Sequence, residues 1–132
     1  MQRVPWDQTL LSMCRLLADC RADCRRSRHA AIVFDEETRD IISLGYNGLA
    51  SGAGSCLDGD CPRGRMSKTE IPSNTPYNDG PGRCDAVHAE VNAIIRAGIS
   101  RTRGRTLYVT GEPCHGCAVV IQGAGITRVV HR

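Results

Sequence analysis

Two short stretches carry side chains whose types and spacing could do chemistry: His88-Ala89-Glu90 and Pro113-Cys114-His115-Gly116-Cys117. Cys114 and Cys117 are three residues apart, so on a helix both sulfurs face one side. At a helix start the positive end of the dipole favours thiolate, the form that binds metal. His88 adds a nitrogen ligand from a second segment. One histidine and two thiolates suit zinc, and three protein ligands leave a fourth position open, as a catalytic rather than a structural site requires. Glu90 lies two residues beyond His88, about 200° around a helix, so it is placed to move a proton rather than to ligate.

The elements that must position these residues can be read from periodicity. Leu10, Met13, Leu17, Cys20 and Cys24 recur at steps of three and four, which predicts a helix capped near Asp7 with that stripe inward. Cys14 and Cys20 are expected in the core. Ala30 to Phe34 and Asp40 to Gly45 are β-prone runs joined by a polar turn, a hairpin. Asn47 to Arg83 is a long stretch of turn-forming residues that holds Cys56 and Cys61, with Cys84 just beyond. Loops of that length inside a small domain tend to be functional. Asp85 is expected to cap a helix with Val87, Val91, Ile94 and Ile95 on its apolar face, ending at Gly98. A strand over Thr106 to Thr110, a helix opened by Pro113 with Ala118, Val119 and Ile121, and a strand over Thr127 to His131 complete the chain. The last three form a right-handed unit with parallel strands. The sum is one domain, 1–132, of the three-layer α/β/α class: a mixed sheet between helices.

Composition narrows the options. The chain has 132 residues, a formal net charge of +3 and 17 Lys plus Arg, of which Lys68 is the sole lysine. That balance is far from a dedicated nucleic-acid binder. The few aromatic residues argue against a stacking platform for single strands. No run approaches the roughly 20 apolar residues of a membrane span, and no secretory leader is apparent. Eight cysteines then read first as metal ligands or catalytic groups in a cytoplasmic chain. His29, His115 and His131 are not expected to ligate, and the arginines from Arg96 to Arg105 are expected to form a solvated face.

The His88-Ala89-Glu90 and Pro113-Cys114-x-x-Cys117 motifs together resemble the signature of the cytidine/deoxycytidylate deaminase superfamily. The resemblance extends to Gly45-Tyr46-Asn47-Gly48, to Leu107-Tyr108-Val109-Thr110 and to Ala124 through Val130, and covers roughly residues 10–131. It implies the cytidine-deaminase-like fold and hydrolytic loss of ammonia from a pyrimidine nucleotide, with Glu90 as proton shuttle. It also implies substrate contacts from Asn47 to the sugar and from the Ala89 backbone to the amine, and offers Arg28 for a phosphate. Asn47 can equally be a turn residue between Tyr46 and Gly48. Some members hold a second, structural zinc, and Cys24 and Cys56 fall where two of its ligands would. Ala86 stands where another would be, so Cys61 and Cys84 are expected to complete an all-thiolate site. Unrelated buried thiols are the alternative.

Two departures bear on function. The family continues past the strand Thr127 to His131 into a segment carrying an aromatic residue near the base, which implies a homo-oligomer in which a neighbour supplies it. Glu112 stands before Pro113 where a small residue is more usual, and Glu-Pro-Cys resembles tRNA adenosine deaminases. A polynucleotide deaminase is therefore one rival, and a non-catalytic zinc-stabilised binding module another. Gly45 to Gly48 and the cysteine-bearing loop disfavour the first, and Glu90 disfavours the second.

Overall fold

The apolar faces of a central sheet dictate the architecture. In the computed structural model, which describes residues 2–67 and 69–132, four strands run in the order β2-β1-β3-β4: β1 Ala30–Asp35, β2 Asp40–Tyr46, β3 Thr106–Val109 and β4 Arg128–His131. β1 pairs antiparallel with β2 and with β3, and β3 pairs parallel with β4. The expected hairpin and parallel crossover are therefore both present. All four β3 residues are buried, as are five of the six in β1, whereas β4 is a largely exposed edge.

Alternation along the strands feeds two cores. On one face Ala30, Ile32, Phe34 and Tyr108 pack on Leu10, Cys14 and Ala18 of α1 (Trp6–Arg21). On the other, Ala31, Val33, Leu107 and Val109 pack on Ala89, Ala93 and Ala97 of α3 (Ala89–Ala97) and on Ile121 of α5 (His115–Gly123). Three layers result, as the sequence implied.

Several expectations are corrected. The inward stripe of α1 is Leu10, Cys14 and Ala18, one turn apart, while Met13 and Cys20 face solvent. The helix stops at Arg21, so Cys24 lies in the connection after it. Asp7 does not cap α1: it lies in the first turn and turns its carboxylate to Tyr108 and Arg128. Asp85 does not cap α3 either. An antiparallel bridge, with Gly48 N–H to Val87 O at 3.2 Å and Val87 N–H to Gly48 O at 2.7 Å, keeps the approach extended, and His88 becomes the N-cap. The buried face of α3 is alanine; Ile95 is exposed. On α5 it is Cys117 and Ile121, with Ala118 and Val119 outside.

The 47–83 stretch is not featureless. It contains a 3-10 turn, Cys56–Asp58, and a short helix α2, Pro62–Arg65; a further short helix α4, Ile99–Thr102, follows α3. No helix among the described residues is long and apolar enough to cross a membrane.

Candidate metal centre and substrate cavity

Each metal-ligand candidate sits at a helix start. His88 caps α3 with no side-chain cap bond of its own, which leaves its ring free to turn outward. Cys114 caps α5, and its sulfur accepts from the Cys117 N–H at 3.5 Å. His88 Nδ1 lies 3.2 Å from Cys117 Sγ and 3.7 Å from Cys114 Sγ. All three ligand atoms fall within 4.8 Å of one another. Tetrahedral zinc with ordinary Zn–N and Zn–S lengths sets neighbouring ligands about 3.6 Å apart. The two measured separations bracket that value, so the donor set fits the ion.

Glu90, the second residue of α3, is 6% exposed and faces the same cavity. It lies outside the tight ligand group, yet close to Cys117. Burial, then the Glu90 charge, push the Cys117 thiol well above its ordinary value.

The cavity occupies about 730 Å³. One wall holds His88, Glu90, Cys114 and Cys117, with Ala89 between the first two; Arg26, Ser27, His29 and Asn47 lie on another. Asn47 is 8% exposed, and its amide is engaged on both sides. Its Oδ1 accepts from the His29 N–H at 2.8 Å, and its Nδ2 donates to the Ser27 carbonyl at 2.7 Å. It therefore clamps the approach to β1, which the turn reading of this residue did not anticipate. His29 bridges Ser27 Oγ at 2.7 Å and Thr110 Oγ1 at 2.8 Å.

Arg28 is not on the cavity wall. Alternation sends Ser27 and His29 inward and Arg28 the other way, where its guanidinium donates to the Asp19 carbonyl at the end of α1. The basic residues that do reach the cavity are Arg26 and Arg63, neither of which the motifs indicate. An arginine inside a polar loop, or one residue from a chosen one, leaves no periodic signal. Three of the four arginines from Arg96 to Arg105 are engaged elsewhere: Arg96 donates to the Leu44 carbonyl, Arg101 to that of Ala97, and Arg105 pairs with Asp35 at 3.3 Å.

Cys24, Cys56, Cys61 and Cys84 all line the same cavity, away from the helix starts. Their sulfurs are more widely spaced than the His88 group, since no three of them close within 4.8 Å. Their surroundings are nonetheless organised. Burial pushes Cys56 up to about 11, against a backbone N–H from Arg25. Burial also acts to raise Cys61, but N–H groups of Asp85, Gly64 and Arg63, with the Cys84 thiol, bring it below the ordinary thiol value. Cys84 is raised by burial, with Cys61 and Cys24 nearby, and receives the Ala86 N–H.

Comparison with known proteins places this geometry in context. A family model, the cytidine and deoxycytidylate deaminase zinc-binding region, matches residues 4–132. A deoxycytidylate deaminase of Mycobacterium phage D29 is 41% identical over 131 residues, covering 99% of this chain and 97% of that one. The deoxycytidylate deaminase of Saccharomyces cerevisiae is 33% identical over 136 residues, but this chain spans only 38% of its length. Among solved structures, the dCMP deaminase of cyanophage S-TIM5 in complex with dCMP and dUMP superposes with a TM-score of 0.69 over 100% of this chain and 84% of that one, at 21% identity.

Proposed function

Because this chain belongs to the cytidine and deoxycytidylate deaminase family, we propose that it is a zinc-dependent deaminase converting deoxycytidylate and water to deoxyuridylate and ammonia. The observation that carries this reading is the meeting of His88, Cys114 and Cys117 within 4.8 Å beside a buried carboxylate, Glu90. Zinc held there supplies the Lewis acidity that makes water nucleophilic near neutral pH. Glu90 takes a proton from the attacking water and delivers it to the ring nitrogen of the base, then takes the remaining hydroxyl proton of the adduct and passes it to the departing amine, which leaves as ammonia. Its burial keeps that carboxylate from being quenched by bulk water. The Ala89 backbone, fixed at the first turn of α3, borders the exocyclic amine.

The polar wall opposite handles sugar and phosphate. Asn47 holds Ser27 and His29 in place and borders the sugar. Arg26 and Ser27 take the phosphate, in place of Arg28, since they are the basic and hydroxyl groups that face the cavity. Cys24, Cys56, Cys61 and Cys84 bind a second, structural zinc. What supports that reading is the row of backbone N–H groups aimed at their sulfurs, which stabilises thiolates, and the need to anchor a loop with little core of its own.

A substrate panel read by ammonia release tests the assignment. Deoxycytidylate should exceed deoxycytidine in kcat/KM by a factor on the order of 100, the worth of about 3 kcal/mol of charge-assisted hydrogen bonding. Arg26→Ala should erase most of that margin while sparing the nucleoside. Equal rates on nucleoside and nucleotide would refute the phosphate assignment, and turnover restricted to a polynucleotide would refute the substrate class.

A further inference from the structure

A second cavity, about 810 Å³, adjoins the first, and beyond the wall they share its residues have no part in the reaction described above. The two share Arg26, Ser27, Arg63, Gly64 and Tyr77 as a common wall. Arg25 and Arg65 line only the outer one, together with Ser67. Four guanidinium groups therefore face one space, against a single carboxylate, Glu70. Among the described residues none of the four forms an ion pair, although five other arginine–carboxylate contacts are present.

Like charges gathered in a concave space repel one another, and the fold tolerates them where an anion completes the set. Part of their donor capacity holds the loop: Arg25 donates to the Leu57 carbonyl, and Arg26 to those of Arg63 and Met66. The rest is unused. Arg63 makes the point most sharply. It is 9% exposed, stacked 3.7 Å from the Tyr77 ring centroid, and fixed by donation from one terminal nitrogen to the Thr75, Pro76 and Gly82 carbonyls. Its Nε is buried and has no partner. That enclosed nitrogen is not open to a ligand, but the bonds and the ring hold the guanidinium at a fixed place on the shared wall, where its charge is preorganised for an anion.

We infer that this arginine-lined cavity is an oligophosphate subsite continuous with the active cavity. Through it the enzyme takes the di- and triphosphates of its cytosine deoxynucleotide at the same catalytic centre. The inference rests on the proposed phosphate position at Arg26 and Ser27, because those residues lie on the shared wall: a chain whose first phosphate sits there extends its later phosphates toward Arg25, Arg63 and Arg65. Deamination is unchanged in kind, with water adding at the base, ammonia leaving and the phosphate chain intact.

The test uses zinc-loaded protein with deoxycytidine mono- and triphosphate. The triphosphate should be deaminated, or should inhibit the monophosphate competitively. Arg65→Gln and Arg25→Gln, both at exposed positions, should weaken the triphosphate on the order of 10-fold more than the monophosphate, with Arg65→Lys restoring part of the loss. A triphosphate that neither reacts nor competes while the monophosphate turns over overturns the inference. So does an equal effect of the variants on both nucleotides, and so does inorganic tripolyphosphate that binds without competing with the monophosphate, which would make the cavity a separate anion site. If the monophosphate itself is not deaminated, the functional reading has failed. Calorimetric binding of the triphosphate then decides the subsite alone, supporting it if Arg65→Gln weakens binding and overturning it if not.

Discussion

Gly45 is the position where a single methyl group should do most damage at a distance. A Cβ there would lie 2.3 Å from the Ala89 carbonyl oxygen, 2.4 Å from the Ala93 nitrogen and 2.9 Å from the Ala93 Cα, against 3.4 Å or more for ordinary contact. All three obstacles are backbone atoms of α3, so no rotamer change can relieve them. The helix must move off the sheet by about 1 Å, or β2 must bend. Either response breaks contacts that fix the helix: Ser43 Oγ donates to the Ala93 carbonyl at 2.7 Å, and Asn92 Nδ2 to the Tyr46 carbonyl at 2.9 Å. Overpacking of this kind costs about 1–3 kcal/mol. For a domain of this size that lowers Tm by roughly 3–15 °C.

The activity effect should be larger than the stability effect. The start of α3 carries His88 as N-cap and Glu90 in the first turn, so a shift of about 1 Å there misplaces the proposed metal ligand and the proposed proton shuttle together. Misplacement on that scale costs about 100-fold in rate. Gly45→Ala should therefore fold, melt earlier, and turn over deoxycytidylate about 100-fold more slowly even well below its Tm. Thermal melting, zinc content and steady-state kinetics on the same preparation check this. A Gly45→Ala protein with wild-type Tm and wild-type kcat would refute the argument that the glycine sets the distance of α3 from the sheet.

Three further outcomes follow from the same geometry. Glu90→Gln should keep its zinc and still bind nucleotide while turnover falls by roughly 100- to 10,000-fold, as for other lost acid/base groups; near-wild-type turnover would remove Glu90 from the mechanism. Metal analysis should find two zincs per chain, with Cys56→Ser losing one and unfolding more readily before its chemistry changes, whereas a stoichiometry of one under reducing, zinc-replete conditions would return the four cysteines to unrelated thiols. Asp7, whose carboxyl is held below the usual range by hydrogen bonds from Arg128 and then Tyr108, contributes stability above its unfolded pKa of about 3.9, and that contribution is lost as pH falls through the lower folded value; Asp7→Asn should accordingly cost no more than about 1 kcal/mol at pH 7 for so exposed a pair, with the gap narrowing as pH falls below about 3.9, and a gap that widens on acidification would contradict the sign.

The chemistry was legible in the sequence because it is local. His88 and Glu90, and Cys114 and Cys117, each declare themselves within one helical turn, and the hairpin shows in the polar turn between Phe34 and Asp40. What failed was what depends on how close two elements lie. The apolar stripe chosen for α1 ran through Met13 and Cys20, but Phe34 and Tyr108 already fill that layer, so the helix turns its smaller residues, Cys14 and Ala18, inward. On α3 the expected Ile94 does pack at the margin of the core, but Ile95 is exposed, because the sheet comes so near at Gly45 that only Ala89, Ala93 and Ala97 fit directly between. Hydropathy counts apolar size, and close layers select against it. Arg28 failed on register: a shift of one residue along extended chain exchanges the cavity for the solvent side. Arg63 and Tyr77 had no signal at all, since their meeting depends on the path of an irregular loop.

The division of the cavity between rigid and irregular parts has a consequence for its chemistry. The candidate metal ligands and Glu90 stand at the starts of two nine-residue helices packed on buried strands. Both helices present their N-terminal ends to the same corner. The phosphate position proposed above falls on a wall made of loop: Arg26 and Ser27 in the connection after α1, and Arg63 on α2 within the cysteine-bearing stretch. That stretch has little apolar surface to bury and is held by backbone bonds and by arginines donating to its carbonyls. Changes to the loop should therefore register in KM and in the choice between nucleotides, and changes at the helix starts in kcat. A loop can be retuned for a different phosphate chain without disturbing a centre that the core holds in place.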